Sequence, residues 1–230
     1  MIRIAENVPS VFCDSAELIK IRGLFECYLS DGSVMFWEQD NGRAFISMAD
    51  SDLTVWNNGA DTDELAGFVN MLAPSSVFSD TETLEKIGLT PFGTACVMAI
   101  SPENSGETEG DELSSKEIYD IFFKAGLYLP EYGHFATDYC RRKNRGLLDS
   151  FALKDKCAAV WLKSGGYALL NGIASLQKGF GGVALTAALE KNRGQRLLAY
   201  CRENITGFYE KYGFCRLYDV GSWVKTDECE

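Results

Sequence analysis

The sequence has little histidine and no long apolar run. His134 is the only histidine among 230 residues, so a histidine-based catalytic triad or a histidine-rich metal site is not expected. No apolar stretch approaches the roughly 20 residues that a membrane-spanning helix needs. The first residues, 1–6, also lack the apolar core of a signal peptide. The sequence therefore predicts no metal site and no membrane partner.

Basic residues are also scarce relative to acidic ones. The chain has 22 Lys and Arg against 33 Asp and Glu, which gives a net charge of −11. This excess disfavours non-specific binding to nucleic acid or to anionic lipid, so we expect no nucleic-acid partner. It is compatible with a cationic acceptor such as an amine, although many acidic proteins are acidic only for solubility.

The eight cysteines form no C-x-x-C pair. Several of them, including Cys96, Cys157 and Cys201, lie inside apolar runs. This pattern is typical of buried free thiols in a reducing compartment rather than of disulfides or a zinc site. The sequence thus predicts a cytoplasmic protein.

The organisation of the chain indicates two halves. Residues 101–111 carry Pro102, Gly106 and Gly110 among acidic residues, with no aromatic residue, as linkers and exposed loops do. We therefore predict an N-terminal domain at 1–110 and a C-terminal domain at 111–230, each with α/β architecture and a mixed sheet.

Hydrophobic periodicity and turn residues predict the elements. In the first half they are a helix through 16–28, strands at 34–38, 43–48 and 53–56, a helix at 61–72, a strand at 76–78, a helix at 81–87 and a strand at 92–100. In the second half they are helices from 114 and at 132–143, strands at 150–153, 157–163 and 167–175, a helix at 183–191, a strand at 196–201, a further helix, and strands at 215–218 and 222–225. The two halves share one order of elements, which predicts a tandem repeat.

A glycine-rich loop at 177–182 joins a predicted buried strand to a predicted helix. Its glycines let the backbone approach a ligand without Cβ clashes. The free amides of the first helical turn and the helix dipole favour an anion such as a pyrophosphate. The glycines alone do not decide this, because a plain tight turn would use them as well.

The residues after the loop are more specific. A short strand at 196–201 is followed by Asn204, and then by the run Phe208-Tyr209-Glu210-Lys211-Tyr212-Gly213-Phe214. This order resembles the GNAT superfamily, the GCN5-related N-acetyltransferases, over roughly residues 155–225. The resemblance implies the acyl-CoA N-acyltransferase fold and acetyl-CoA as the cofactor.

The resemblance also implies roles for individual residues. Backbone groups of Ile173, Ala174 and Ser175 would pair with the pantetheine arm, and one of their amides would polarise the thioester carbonyl. Asn204 would contact the pantetheine, and Tyr209 would be the general acid that protonates the departing thiolate. The remaining cofactor-binding residues implied are Lys178, Gly179, Phe180, Gly181, Gly182 and Phe208.

The sequence departs from the family pattern in two places. The usual loop is Arg/Gln-x-x-Gly-x-Gly/Ala; counted from Lys178 the sixth position is Val183, and counted from Gln177 the fourth is Phe180. Either the loop is remodelled or the affinity for CoA is reduced. In addition, no carboxylate lies at 167–175, where many relatives carry a glutamate base. The amine could lose its proton through ordered water or to Glu203, although an exposed glutamate before a helix is normally just solvated.

The N-terminal copy is predicted to be degenerate. It has Asn57-Asn58-Gly59-Ala60-Asp61 in place of the glycine loop, and Leu84 where the other copy has Tyr209. The local match between 83–89 and 208–214 could also arise by chance, since glycine commonly follows a helix C-terminus.

Two functions are weighed for the chain. The first is an acetyl-CoA-dependent N-acetyltransferase that acts on a small-molecule or peptide amine, with a homodimer left open. The second is a CoA-binding or regulatory module that keeps the fold without turnover. A basic cluster at Arg141, Arg142, Lys143 and Arg145 beside Asp138 could reach the CoA 3′-phosphate, but cations also gather at helix C-termini without any function.

Overall fold

The structure is a computed structural model of the chain. It describes residues 1–7, 13–30, 32–103 and 106–225. No helix within these residues is long and apolar enough to cross a membrane.

The chain forms two compact units. Met1–Ala99 and Tyr200–Glu230 make up the first unit, and Ile100–Ala199 makes up the second. These division points differ from the boundary near residue 110 that the sequence predicts, and the functional division of the chain stays a prediction. The end of the chain joins the first unit because its last strand pairs there on both sides.

The sheet of the first unit has the order β1-β2-β3-β4-β5-β11-β6. All neighbouring strands are antiparallel except β4 and β5, which are parallel. Its strands are β1 (Ile2–Ile4), β2 (Val34–Gln39), β3 (Ala44–Ala49), β4 (Asp52–Asn57), β5 (Ser76–Asp80), β6 (Gly93–Ile100) and β11 (Cys215–Val224). Its helices are α1 (Ala16–Tyr28), α2 (Thr62–Leu72), α3 (Thr81–Lys86) and α7 (Thr206–Glu210).

The starts of α1, α2 and α3 in the first unit are fixed by side-chain caps. Ser15 accepts a hydrogen bond from the amide of Leu18 at the start of α1, and Asp80 accepts one from Thr83 at the start of α3. Each cap satisfies an amide that the helix itself cannot pair. Helices α2 and α3 pack with strands β3, β4 and β5 around an apolar core formed by Ile46, Leu53, Val55, Leu65, Val69, Val77, Leu84 and Ile87.

The second unit contains a four-stranded arrangement in the order β10-β9-β8-β7. Its strands are β7 (Leu148–Leu153), β8 (Cys157–Ser164), β9 (Tyr167–Ser175) and most of β10 (Arg196–Cys201), and its helices are α4 (Ser115–Lys124), α5 (Tyr132–Asn144) and α6 (Phe180–Lys191). β9 and β10 are parallel, and the other pairs are antiparallel. Trp161 on β8 is fully buried.

The predicted repeat of elements is confirmed. In one half the meander β2-β3-β4 is followed by α2 and by β5, which is parallel to β4. In the other half the meander β7-β8-β9 is followed by α6 and by β10, which is parallel to β9. Parallel neighbours need a crossover connection, and here a single helix supplies it in each half.

The short helices α3 and α7 end in the same way. The amide of Leu89 donates to the carbonyl of Leu84, and the amide of Phe214 donates to the carbonyl of Tyr209. In both cases the preceding glycine, Gly88 or Gly213, has a positive φ, as expected for a glycine C-cap. Leu84 therefore occupies the position in α3 that Tyr209 occupies in α7, as the local sequence match predicts.

Two sequence predictions need correction, and one strand was missed. The strands predicted at 215–218 and 222–225 are one strand, β11, because β5 and β6 hold the intervening residues extended. Helix α6 begins at Phe180 rather than at 183, so two of the loop glycines lie in its first turn. Strand β1 was not predicted. The predicted burial of Cys96, Cys157 and Cys201 is confirmed; Cys229 lies outside the described residues.

Candidate functional site

Helix α6 begins without a side-chain cap. Gly179 precedes it at φ 92°, a left-handed conformation that side chains rarely adopt, and no side chain of the described residues bonds to the first-turn amides. The amides of Phe180 and Gly182 donate to the carbonyls of Gln177 and Gly179, each at 3.2 Å. No acidic residue lies in the first turn. An uncapped, uncharged helix N-terminus of this kind suits an anion.

Helix α2 has the opposite character at the matching place in the first half. Asp61 caps it and accepts hydrogen bonds from the amides of Asp63 and Glu64. Those two residues add acidic groups in its first turn. A phosphate at this end would meet three carboxylates, and the Asp61 carboxylate already accepts from two of the first-turn amides. The N-terminal copy therefore lacks the anion site that α6 offers.

Strand β9 has an edge that is paired over only part of its length. Its parallel pairing with β10 covers Tyr167–Leu170 and extends no further in the part of the chain that the structure describes. The pairing with β8 continues to Ser175, but it shifts register, since Val160 pairs with Gly172 and Trp161 with Leu170. Asn171 is thus the extra residue of a β-bulge. Bulges bend a strand and end its pairing, and here the bulge coincides with the end of the parallel ladder.

The predicted residues Ile173, Ala174 and Ser175 lie on this open part of β9. They pair on one side with β8, opposite Ala159, Ala158 and Cys157 respectively. On the other side their backbone groups have no strand partner among the described residues. An extended chain carrying amides can add to such an edge by main-chain hydrogen bonds. The pantetheine arm of CoA is a chain of that chemistry, so β9 fits the implied cofactor.

Two lysines lie close to the glycine-rich loop. The Nζ of Lys156 lies 5.1 Å from the centre of the Phe180 ring. Lys178 is exposed directly before Gly179. Positive charge beside a helix N-terminus reinforces its attraction for phosphate.

Tyr209 is buried in the first unit. It is 3% exposed, and its ring packs against those of Phe208 and Phe214, with centroids 5.2 and 5.4 Å away. Burial, together with the nearby Cys201 and Tyr200, raises the pKa of its phenol, so the hydroxyl stays protonated throughout the working pH range. No hydrogen bond holds that hydroxyl among the described residues. It is therefore a proton donor that is not committed to a structural bond.

Glu203 is exposed and paired with Arg216. Both of its carboxylate oxygens accept from Nη1 of Arg216, at 2.8 and 2.9 Å, and Nη2 of the same guanidinium donates to Asp219 at 2.7 Å. Asn204 lies in the same short 3₁₀ turn, Glu203–Ile205, and is exposed. Phe208 is half-buried against Tyr209 and Tyr212. An amine that approaches Glu203 would compete with Arg216 for its oxygens.

The other candidates from the sequence are the basic cluster around Arg142 and the single histidine, His134. Arg142 is 7% exposed, and its Nε donates to both oxygens of Asp138, at 2.8 and 2.9 Å. His134 is exposed on α5. Within the described residues no group of three or more His, Cys, Asp or Glu side chains is arranged to hold a metal ion.

A pair of buried thiols was not predicted from the sequence. The Sγ atoms of Cys96 and Cys201 lie 3.8 Å apart, and the Cys201 thiol contacts the sulfur of Met98 at 3.6 Å. Burial raises the pKa of Cys201 to about 12, which keeps it a protonated, unreactive thiol. No local pattern could have paired these residues, because 105 positions separate them.

The fold is similar to that of solved acetyltransferases, while no protein-family model and no curated protein matches the sequence. A GCN5-related N-acetyltransferase from Kribbella flavida aligns with a TM-score of 0.62 and 12% identity, over 96% of this chain and 96% of that one. A putative acetyltransferase from Pyrococcus horikoshii gives 0.58 and 11%, over 100% and 91%. A tandem GNAT protein from the clavulanic acid biosynthesis pathway gives 0.55 and 11%, over 90% and 87%.

These identities are low, so the similarity shows the fold alone. The chain has the GNAT fold, as the sequence predicts, and a tandem GNAT protein is among the structures that share it over most of their length.

Proposed function

We propose that the protein is an N-acetyltransferase that moves an acetyl group from acetyl-CoA to a primary amine. The observation that carries this proposal is the uncapped N-terminus of α6, which directly follows the open edge of β9. An anion site and an edge that can pair with amides are the two features that binding of an acyl-CoA requires. Fold similarity to acetyltransferases supports this proposal, but a fold alone does not assign an activity.

The second unit would hold the cofactor. Lys178, Gly179, Phe180, Gly181 and Gly182 would bind the pyrophosphate through backbone amides and the positive end of α6. Backbone groups of Ile173, Ala174 and Ser175 would pair with the pantetheine arm, and one of their amides would polarise the thioester carbonyl. Bound acetyl-CoA would supply the activated acetyl group as a thioester.

Tyr209 would donate the proton that the leaving thiolate requires. Its hydroxyl is protonated at neutral pH because burial raises its pKa. Burial disfavours a thiolate as it disfavours a phenolate, so the pKa of a thiol leaving beside Tyr209 would be raised as well, and the proton would pass to sulfur as the carbon–sulfur bond breaks. Asn204 and Phe208, which precede Tyr209 in the sequence, would complete the contacts to the cofactor.

The acceptor amine must be neutral before it can attack a carbonyl carbon. We propose that its proton leaves either to Glu203 or through ordered water. The ion pair with Arg216 favours the water route, since both oxygens of Glu203 are already accepting hydrogen bonds. The chain's net charge of −11 suits an acceptor that arrives as a cation, either a small molecule or a peptide.

A non-catalytic CoA-binding or regulatory module is the second candidate. It is favoured by the absence of a carboxylate from β9 and by the engagement of Glu203 with Arg216. In either case we propose that the protein is cytoplasmic, because its cysteines remain reduced in that compartment. A homodimer is compatible with the proposal but is not required by it.

Thiol release separates the two candidates. The protein would be mixed with acetyl-CoA and with a panel of primary amines, and free CoA would be detected by a thiol reagent. We expect amine-dependent release with at least one acceptor and formation of the N-acetyl product. Saturable binding of CoA without any amine-dependent release would reject the enzyme and favour the regulatory module.

A further inference from the structure

The first unit contains a pocket of about 590 Å³ that the proposed acetyl transfer does not use. We call it the acidic pocket. It is lined by the start of α1, the end of β4, the loop before α2, the start of α3 and Tyr218 on β11. Its lining includes Asp14, Glu17, Trp56, Asp80, Glu82 and Lys86.

The pocket lies where the parallel strands β4 and β5 stop pairing. Their ladder covers Asp52–Thr54 on β4 and Ser76–Phe78 on β5. Beyond it, Trp56 on β4 and Asp80 at the end of β5 line the pocket. In the second unit, β9 leaves its parallel partner in the same way, beside an uncharged helix start. In the first unit the corresponding space is bordered by carboxylates.

The charge of the pocket is strongly negative. Asp14, Glu17, Asp80 and Glu82 line it, and Lys86 is the one basic residue in the described lining. Lys86 is paired with Glu82, since its Nζ bonds Oε1 of that residue at 2.6 Å one turn away on α3, and it also feels the charge of Asp80. A ligand that neutralises this pocket must carry positive charge.

Glu17 is the most deeply buried carboxylate in the lining of the pocket. The residue is 1% exposed, and Oε2 accepts hydrogen bonds from the hydroxyls of Ser15 at 2.8 Å and Tyr218 at 2.7 Å. Oε1 has no hydrogen-bond partner on any other described residue. A buried carboxylate oxygen without a partner is costly in a folded protein. A hydrogen-bond donor brought by a ligand would remove that cost.

We propose that the acidic pocket binds an organic polyamine through its ammonium groups. Ammonium groups supply the positive charge and a hydrogen-bond donor for Oε1 of Glu17. Trp56 also lines the pocket, and an aromatic ring suits both the alkyl chain of a polyamine and its charge. The proposal does not depend on acetyl transfer, and it treats the first unit as a binding domain of its own.

Calorimetric titration with spermidine tests the proposal. The full chain would be titrated at about 150 mM salt, where diffuse attraction to the acidic surface is screened. We expect saturable binding at one site by the wild type. Glu17→Gln keeps the shape of the side chain but cannot ionise when an ammonium group binds, so it should weaken binding about tenfold or more, since a hydrogen bond to a charged group contributes about 1.5–3 kcal/mol.

Glu85→Gln is the matched control. Glu85 is exposed on the same helix, α3, but does not line the pocket, so its loss should change the affinity less than about twofold. If Glu17→Gln does not fold, Asp80→Asn replaces it, because asparagine preserves the helix cap. The proposal is overturned by a wild type that shows no saturable binding, or by equal affinities of the pocket variant and the control.

Discussion

Tyr218 donates a hydrogen bond of 2.7 Å to Oε2 of Glu17 across 201 positions of the sequence. The same hydroxyl accepts a hydrogen bond of 3.0 Å from the amide of Ala16. The bond joins the last strand of the chain to its first long helix inside one compact unit. It is one of the contacts that hold residues 200–225 in the same compact unit as the beginning of the chain.

This buried carboxylate predicts an unusual dependence of stability on pH. Burial, assisted by the charge of Asp80, raises the pKa of Glu17 above its ordinary 4.5, although hydrogen bonds from Tyr218, its own amide and Ser15 oppose the shift. Between 4.5 and the raised pKa, Glu17 is protonated in the folded chain and ionised in the unfolded chain. The folded state then binds more protons, so this group's contribution to the free energy of unfolding falls as pH rises.

Urea unfolding measures that contribution. The free energy of unfolding of the wild type minus that of Glu17→Gln should decrease as pH rises above 4.5. Glu85→Gln, an exposed position on α3, is measured in parallel as the control. A difference for Glu17→Gln that is constant or that rises with pH would contradict the burial of an ionisable group at this position.

The role of Tyr209 can be separated from its packing. Phenylalanine keeps the ring that contacts Phe208 and Phe214 and removes the hydroxyl, which has no hydrogen-bond partner in the described chain. Tyr209→Phe should therefore leave stability and CoA affinity nearly unchanged. It should slow turnover by about 10²–10⁴-fold, the usual range for a positioned acid. Steady-state rates with a confirmed acceptor provide the measurement.

Tyr212→Phe is the control for this experiment. Tyr212 is half-buried just after α7, and its ring lies 5.5 Å from that of Phe208. Loss of its hydroxyl should leave turnover close to that of the wild type. Wild-type turnover by Tyr209→Phe would reject the acid assignment and would favour a proton relayed by water.

The route by which the amine loses its proton depends on Glu203. If Glu203 is the base, Glu203→Gln should slow turnover by about 10²–10⁴-fold and remove the acidic limb of the pH–rate profile. Asp219→Asn is its control, because it removes the other carboxylate bonded to Arg216 and leaves the pair of Glu203 with Arg216 in place. A Glu203→Gln protein with an unchanged profile would leave ordered water as the route.

Local sequence patterns were sufficient for most of the fold. The meander β2-β3-β4 and the helix α2 follow from alternating and periodic apolar residues, and these signals do not depend on distant contacts. Strand β11 could not be predicted in one piece, since Asp219-Val220-Gly221 has the composition of a turn. Strands β5 and β6 pair with it on both sides and override that local preference.

Some features of the candidate site could also be predicted from local sequence, while others depend on distant contacts. The glycine loop was visible from composition, but the start of α6 at Phe180 was not, because glycines disfavour a helix interior. Glu17 has the position of an ordinary acidic residue in a first helical turn. Its burial depends on Tyr218, and the pairing of Glu203 depends on Arg216, so neither can be inferred from neighbouring residues.

Binding of CoA to the start of α6 is the central claim, and calorimetry with Gly181→Glu tests it most directly. A glutamate in a first helical turn is compatible with the helix dipole, so the variant should fold, but it should block the backbone and repel phosphate. The control is Gly67→Glu in α2, where an added Cβ meets no atom within 4 Å. We predict saturable CoA binding by the wild type and the control, and none by Gly181→Glu. A wild type that does not bind CoA at about millimolar concentration would contradict the account. A Kd of about 1 mM corresponds to a binding free energy of only about 4 kcal/mol.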